Sequence, residues 1–167
     1  MILPLVLKNF EVLIDGQSFG GRADEIQLPA LEVVTEDHRG GAMDIPVKLD
    51  MGMQPLTMEV TLAEYSGDVW GAFGRKDGNQ PQFVFRGYTE DENGNSGLVV
   101  VTCRGRVNRL SPESAKVGQK NTVSMMIDVS YYKAMIDGVI VHEIDPVNIV
   151  RTINGVNQLA AMKAALA

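Results

Sequence analysis

Residues Tyr131 to Asn157 read YYKAMIDGVIVHEIDPVNIVRTINGVN, and the fold class follows from them. Two strand-like runs surround the turn Asp137-Gly138. A connector broken by Pro146 and a second turn, Asn154-Gly155, come next. Turns this closely spaced between β-branched runs predict antiparallel strands. The stretch holds no nucleophile–base pair, no phosphate loop and no metal-ligand cluster.

The same pattern extends upstream. Val123, Met125, Ile127, Val129 and Tyr131 alternate with Thr122, Ser124, Asp128 and Ser130, Met126 being the exception on the polar side. Met58, Val60 and Leu62 alternate with Thr57, Glu59 and Thr61. Alternation puts one strand face in a core and the other toward water or a partner. Further strands are expected at Phe10–Asp15, Asp24–Leu28, Leu31–Glu36 and Pro46–Asp50. Two more, Gln82–Glu90 and Gly97–Asn108, flank the turn Asn93-Gly94, where both positions tolerate positive φ. Helix is scarce. Ser66 can cap a short helix through Phe73, with Val69, Trp70 and Phe73 as its buried stripe. Asn157 can cap a last helix to Leu166 that buries Leu159, Met162 and Leu166. The expected fold is mainly β, an antiparallel barrel or sandwich with one or two short α-helices, in one domain over residues 1–167. Long open strands leave unpaired edges, and the usual blunting Lys and Pro residues are sparse. Pairing of each edge with a neighbouring chain's is one solution.

Composition narrows the function. The 167 residues carry a net charge of −6, with 45% hydrophobic and 22% charged side chains, an ordinary globular balance. An acidic surface repels phosphate backbones, so DNA binding is disfavoured. The single Cys103 admits no internal disulfide, which fits folding in a reducing cytoplasm. The opening MILPLVLKNF is too short and too lightly charged for a signal peptide. No apolar run approaches the ~20 residues of a membrane span.

Candidate chemistry is thin. Cys103 alternates with Val99 and Val101, the setting of a buried thiol rather than a nucleophile with a base. His142 has Glu143 and Asp145 beside it but no second histidine spaced to share a metal; His38 lies in the polar loop Thr35–Arg39. Both are expected to face solvent. Asp91, Asn93 and Asn95 start like a calcium loop, but Ser96 and Thr102 stand where Gly and a bidentate Glu are required. Gly40-Gly41 leads into no phosphate-binding motif. Arg104 and Arg106 share one strand face, a weak nucleic-acid signal. The expectation is no enzyme, no cofactor and no metal site.

Several blocks nevertheless resemble one family in order and spacing: Lys8-Asn9-Phe10, Leu28-Pro29, Arg39 to Asp44, Asp50-Met51-Gly52, Arg104-Gly105-Arg106, Tyr131-Tyr132-Lys133, Glu143 to Pro146 and Ile153 to Val156. Together they are similar to the contractile-tail tube proteins, which include those of myophage tails and R-type pyocins. The resemblance implies that six subunits form a ring whose joined strands complete the sheet, and that rings stack into a hollow tube. A sheath drives that tube through the target envelope as a conduit for DNA in a phage or for ions in a bacteriocin. It implies inter-subunit or inter-ring contacts at Arg39, Gly40, Gly41, Met43 and Asp44, and at Leu3 and Leu5 in the segment Met1–Asn9. Glu59 and Asp128 are candidates to face the lumen. The implied partners are further copies of the chain, the tail sheath protein, baseplate or tube-initiator proteins and the tape-measure protein, with DNA only as cargo that does not bind. The implied location is a virion tail or tail-like particle assembled in the bacterial cytoplasm. Two alternatives stay open: a ring protein of a type VI-like secretion system, and a small hydrolase built on His38 or His142.

Overall fold

Strand alternation becomes structure almost wherever it is strict. The computed structural model describes residues 1–76 and 78–167. In chain order the strands are β1 (Val6–Ile14), β2 (Gln17–Ser18), β3 (Ala23–Gln27), β4 (Val33–His38), β5 (Val47–Met53) and β6 (Leu56–Leu62). Helix α1 (Gly67–Gly71) follows. Then come β7 (Gln82–Glu90), β8 (Ser96–Pro112), β9 (Val123–Ile136), β10 (Val139–Asp145), β11 (Val150–Ile153) and β12 (Val156–Asn157), and helix α2 (Ala160–Leu166) closes the chain.

The main sheet runs β12-β11-β10-β9-β8-β7-β1-β2, every pair antiparallel. Strand β9 is long enough to serve two neighbours on one edge. Its first half pairs with β6, from Leu62 opposite Val123 to Leu56 opposite Val129. Its second half pairs with β10, from Ile144 opposite Tyr132 to Val139 opposite Ile136. Strand β3 adds to the outer edge of β6.

One core holds this together. Val12 and Ile14 of β1, Phe83 and Phe85 of β7, Cys103 and Val107 of β8, Met125 and Ile127 of β9, and Met58 and Val60 of β6 are all buried in one cluster. Strands β1 and β6 lie far apart along the ladder, so the sheet must curl back on itself for them to share a core. Closure is not reached within the chain. Leu7 and Phe10 of β1 face Ile26 and Leu28 across a groove, and no ladder joins β1 to β3 among the described residues. The expected barrel is therefore an open one. Register shifts at Arg104/Gly105 and Val107/Arg109 bend β8 over β9.

Three two-residue turns, Asp15-Gly16, Asp137-Gly138 and Asn154-Gly155, have positive φ at both positions, the conformation that matches strand twist. Asn93-Gly94 does not follow them. Only Gly94 has positive φ there, and the loop is organised by Asp91, whose Oδ1 accepts the N–H groups of Asn93 and Asn95 at 2.8 and 2.9 Å. Strand β1 also begins earlier than expected. Leu7, Lys8 and Asn9 belong to it, with Leu7 opposite Thr89, so only Met1–Leu5 lie outside the sheet.

Both helices depart from their expected stripes. Ser66 caps α1 by accepting the Val69 N–H at 3.3 Å, and Val69 is buried, but Trp70 and Phe73 are 46% and 53% exposed. Ala72 takes the inward position. In α2 no residue is buried, and Met162 and Leu166 are 52% and 71% exposed. Its N-cap residue is Leu159; Asn157 instead accepts the Leu159 N–H at 3.0 Å and the Arg151 N–H at 3.1 Å.

Candidate functional site

Strands β4 and β5 form a separate two-stranded sheet, paired from Val33 opposite Met53 to His38 opposite Val47. Its residues are almost all exposed. The register makes the ribbon two-faced. Lys48 stands opposite Asp37, and their charges meet at 3.0 Å; Thr35 stands opposite Asp50 on the same face. The other face carries Val47, Leu49 and Met51, all solvent-exposed, beside Glu36 and His38. An isolated hairpin is marginal in water, and an apolar row with nothing under it marks an interaction surface.

The tip joins the strands through Arg39–Asp44. Arg39 Nε donates to Met43 O at 3.2 Å and Met43 N–H to Gly40 O at 3.3 Å, and Ala42 has positive φ. The free chain thus holds this loop in one closed turn. Ile45 just beyond it is 72% exposed. At the other end the hairpin is clasped to the body. Arg151 of β11 reaches Asp50 at 3.0 Å; within the hairpin's own base, Asp50 Oδ1 accepts the Gly52 N–H at 2.8 Å and Gln54 N–H donates to Glu32 O at 2.9 Å. The Gly52 N–H and then the Arg151 guanidinium hold the Asp50 carboxyl below its ordinary 3.8.

Glu59 and Asp128 lie on the outward face of the β6–β9 ladder, Glu59 opposite Met126 and Asp128 opposite Thr57. Asp128 is exposed and accepts the Asn108 amide at 2.8 Å; Glu59 is half-buried. Arg106 and Arg109 stand opposite Asp128 and Met126 on that same face, so it carries both signs of charge. Leu3 is half-buried and Leu5 exposed, ahead of β1. The structure thus distributes the candidates over three places: hairpin tip, leading segment and outer sheet face.

Among the described residues, Cys103 and the two histidines lie apart from one another. Cys103 is buried in the core, which pushes its thiol up to about 12. His38 is exposed on β4, while His142 is half-buried on β10 opposite Ile153, against the expectation of a solvent-facing ring. Among the described residues no group of three His, Cys, Asp or Glu side chains could hold a metal ion. Tyr131 donates to Glu143 at 3.0 Å beneath the Arg104 guanidinium, a packed polar cluster; burial and then Glu143 raise its phenol.

Two features escaped the sequence reading. One is the Asp50–Arg151 clasp, which joins residues 101 apart. The other is an apolar groove of about 810 Å³ between the hairpin base, the main sheet and α2, walled by Met53, Leu56, Val129, Ile144, Leu159 and Met162.

The accessible surface is 10574 Å², whereas a compact monomer of this mass has roughly 8,100 Å². The excess, roughly 2,500 Å², exceeds what a standard protein–protein interface buries in total. An open curled sheet, an uncovered two-faced hairpin and this surplus define a structural subunit made to be covered by other chains. The family "Phage tail tube protein FII" matches residues 4–166, and the chain belongs to it. It is 29% identical over 163 residues to the tail tube protein of Escherichia phage P2, covering 95% of each chain. It is 28% identical over 158 residues to the major tail tube protein of Serratia phage KSP20, covering 94% of this chain and 92% of that one. Among solved structures it resembles a chain of the sheath–tube complex of an extracellular contractile injection system, PVC, in the extended state. The TM-score is 0.60 at 10% identity, with 79% of this chain and 91% of that one covered. A chain of the sheath/tube terminator of the same system aligns with TM-score 0.62 at 10% identity, covering 80% and 98%.

Proposed function

We propose that this chain is the subunit of the inner tube of a contractile phage tail or a phage-tail-like particle. Copies associate side by side into hexameric rings, and the rings stack into a hollow cylinder enclosed by a sheath. The observation that carries this reading is the uncovered β4–β5 hairpin in a chain that matches a tube-protein family over nearly its whole length. The apolar row Val47, Leu49 and Met51 gains a cover only from another copy. The tip residues Arg39, Gly40, Gly41, Met43 and Asp44 then fall at the contact with a neighbouring subunit or ring.

The role is mechanical, and no catalysis is assigned to it. Glu59 and Asp128 line the lumen in this proposal, with Arg106 and Arg109 between them and the next subunit. Six copies carry on the order of −36 formal charges at neutral pH. That overall excess disfavours lasting contact with a DNA cargo, while the lumen face itself carries both signs of charge. The sheath, a baseplate initiator and a tape-measure protein are the expected partners, in a tail put together in the bacterial cytoplasm.

Electron microscopy of the concentrated protein tests the reading. Six-fold rings or hollow tubes are the expected result. A chain that stays monomeric at every concentration, alone and with its baseplate partner, overturns it.

A further inference from the structure

The groove beside α2 is apolar and open, and its charged members are already engaged. Asp50 and Arg151 are bonded to each other, and Asp128 accepts the Asn108 amide. Helix α2 forms one wall while burying none of its own residues. A helix this short is unstable unless something packs on it. The groove volume, about 810 Å³, falls in the range of about 300–1,000 Å³ that holds several apolar groups.

The chain also carries a segment with matching chemistry. Met1–Leu5 reads MILPL, five apolar side chains without a charge. Met1, Ile2 and Leu5 are exposed, Ile2 to 95%. Pro4 lacks an N–H, which keeps the segment out of a ladder. The hairpin tip fits the groove less well, because Arg39 and Asp44 would be desolvated there.

Distance decides which copy supplies the segment. Leu5 lies beside Gly97, near the start of β8. The groove residue Ile144 stands opposite Tyr132, which faces Cys103, six residues further along that strand, or about 20 Å. Met1 is four residues beyond Leu5 and extends at most about 14 Å. The segment therefore cannot enter its own groove, and only a copy displaced along the strand direction can provide it.

We infer that Met1–Leu5 of one copy lodges in the groove between α2 and the hairpin base of a second copy. This rests on the reading of the chain as a tube subunit and locates one of the contacts between copies. The leading segment acts as a peg and the groove as its socket, so successive copies are latched along the strand axis.

Disulfide trapping tests it. Chains bearing Ile2→Cys and Met162→Cys, with different affinity tags, are mixed, assembled and oxidised; Cys103 is buried and stays out of the reaction. A mixed-tag 2–162 cross-link in the assembled fraction, absent from dilute protein, is expected. Ile2→Asp should raise the concentration for half-assembly on the order of tenfold, with melting unchanged. Particles that form without the 2–162 cross-link overturn the inference alone; a 45–162 cross-link from Ile45→Cys would instead seat the hairpin tip in the socket. If no particle forms under any condition, the tube reading falls and this inference with it.

Discussion

Gly105 lies where β8 passes tightly against the backbone of β9. A Cβ built on it would stand 2.1 Å from Asp128 O and 2.9 Å from Val129 Cα. Both are backbone atoms of a paired strand, so neither can swing aside as a side chain would. Gly105→Ala should therefore cost more than about 3 kcal/mol of folding free energy, read as a lower urea midpoint. A midpoint equal to that of the parent would show that the two strands can part there. Cys103, its partner two residues earlier on the same inward face, makes a chemical prediction. Its thiol is raised from 9.0 to about 12 by burial. At pH 8 iodoacetamide should leave the native chain unlabelled and alkylate the unfolded chain fully. The sign for stability follows. The thiol's contribution is complete below pH 9 and is lost as pH rises from there toward about 12, because the unfolded chain releases its proton first.

At the scale of elements, the hairpin is tied to the body by the Asp50–Arg151 pair and by Met53, which packs against the core. Arg151→Ala should speed amide exchange across β4 and β5 and leave β8 and β9 protected. Uniform loss of protection would mean that the clasp supports the whole fold. The Asp50 carboxyl is held below 3.8, so its stabilising effect is present above that pH and fades as pH falls through the lowered value. The Gly52 amide resonance should titrate with a midpoint below 3.8, and Asp50→Asn should abolish that transition. This element also shows where the sequence was legible and where it was not. Turns such as Asp137-Gly138 were readable because positive φ is a local property. Strand β6 was readable because its alternation is strict and its inner face meets its own core. Trp70, Phe73, Met162 and Leu166 were assigned to the core and are exposed. Periodicity reports that a face is apolar and is silent on whose core it joins. The clasp and the groove were out of reach for a different reason: both are made by residues far apart in the chain, and one sequence carries no signal for such pairs.

For the whole molecule, the decisive quantity is surface left uncovered. The chain has 10574 Å² of accessible surface, well above a compact monomer of its mass, and the hairpin and the leading segment each expose a run of large apolar side chains. Stability and assembly should therefore separate cleanly under mutation. Leu49 is exposed on the apolar face of β5 and absent from the core. Leu49→Asp should leave folding stability within about 0.5 kcal/mol of the parent, as surface changes do. The same substitution should abolish rings and tubes, because a carboxylate would have to be buried unpaired against the next copy. Equilibrium unfolding and electron microscopy on one preparation check both halves. Intact tubes from the variant would mean that the hairpin's apolar face stays in water after assembly, leaving the surplus surface to be covered through the leading segment and the sheet edges.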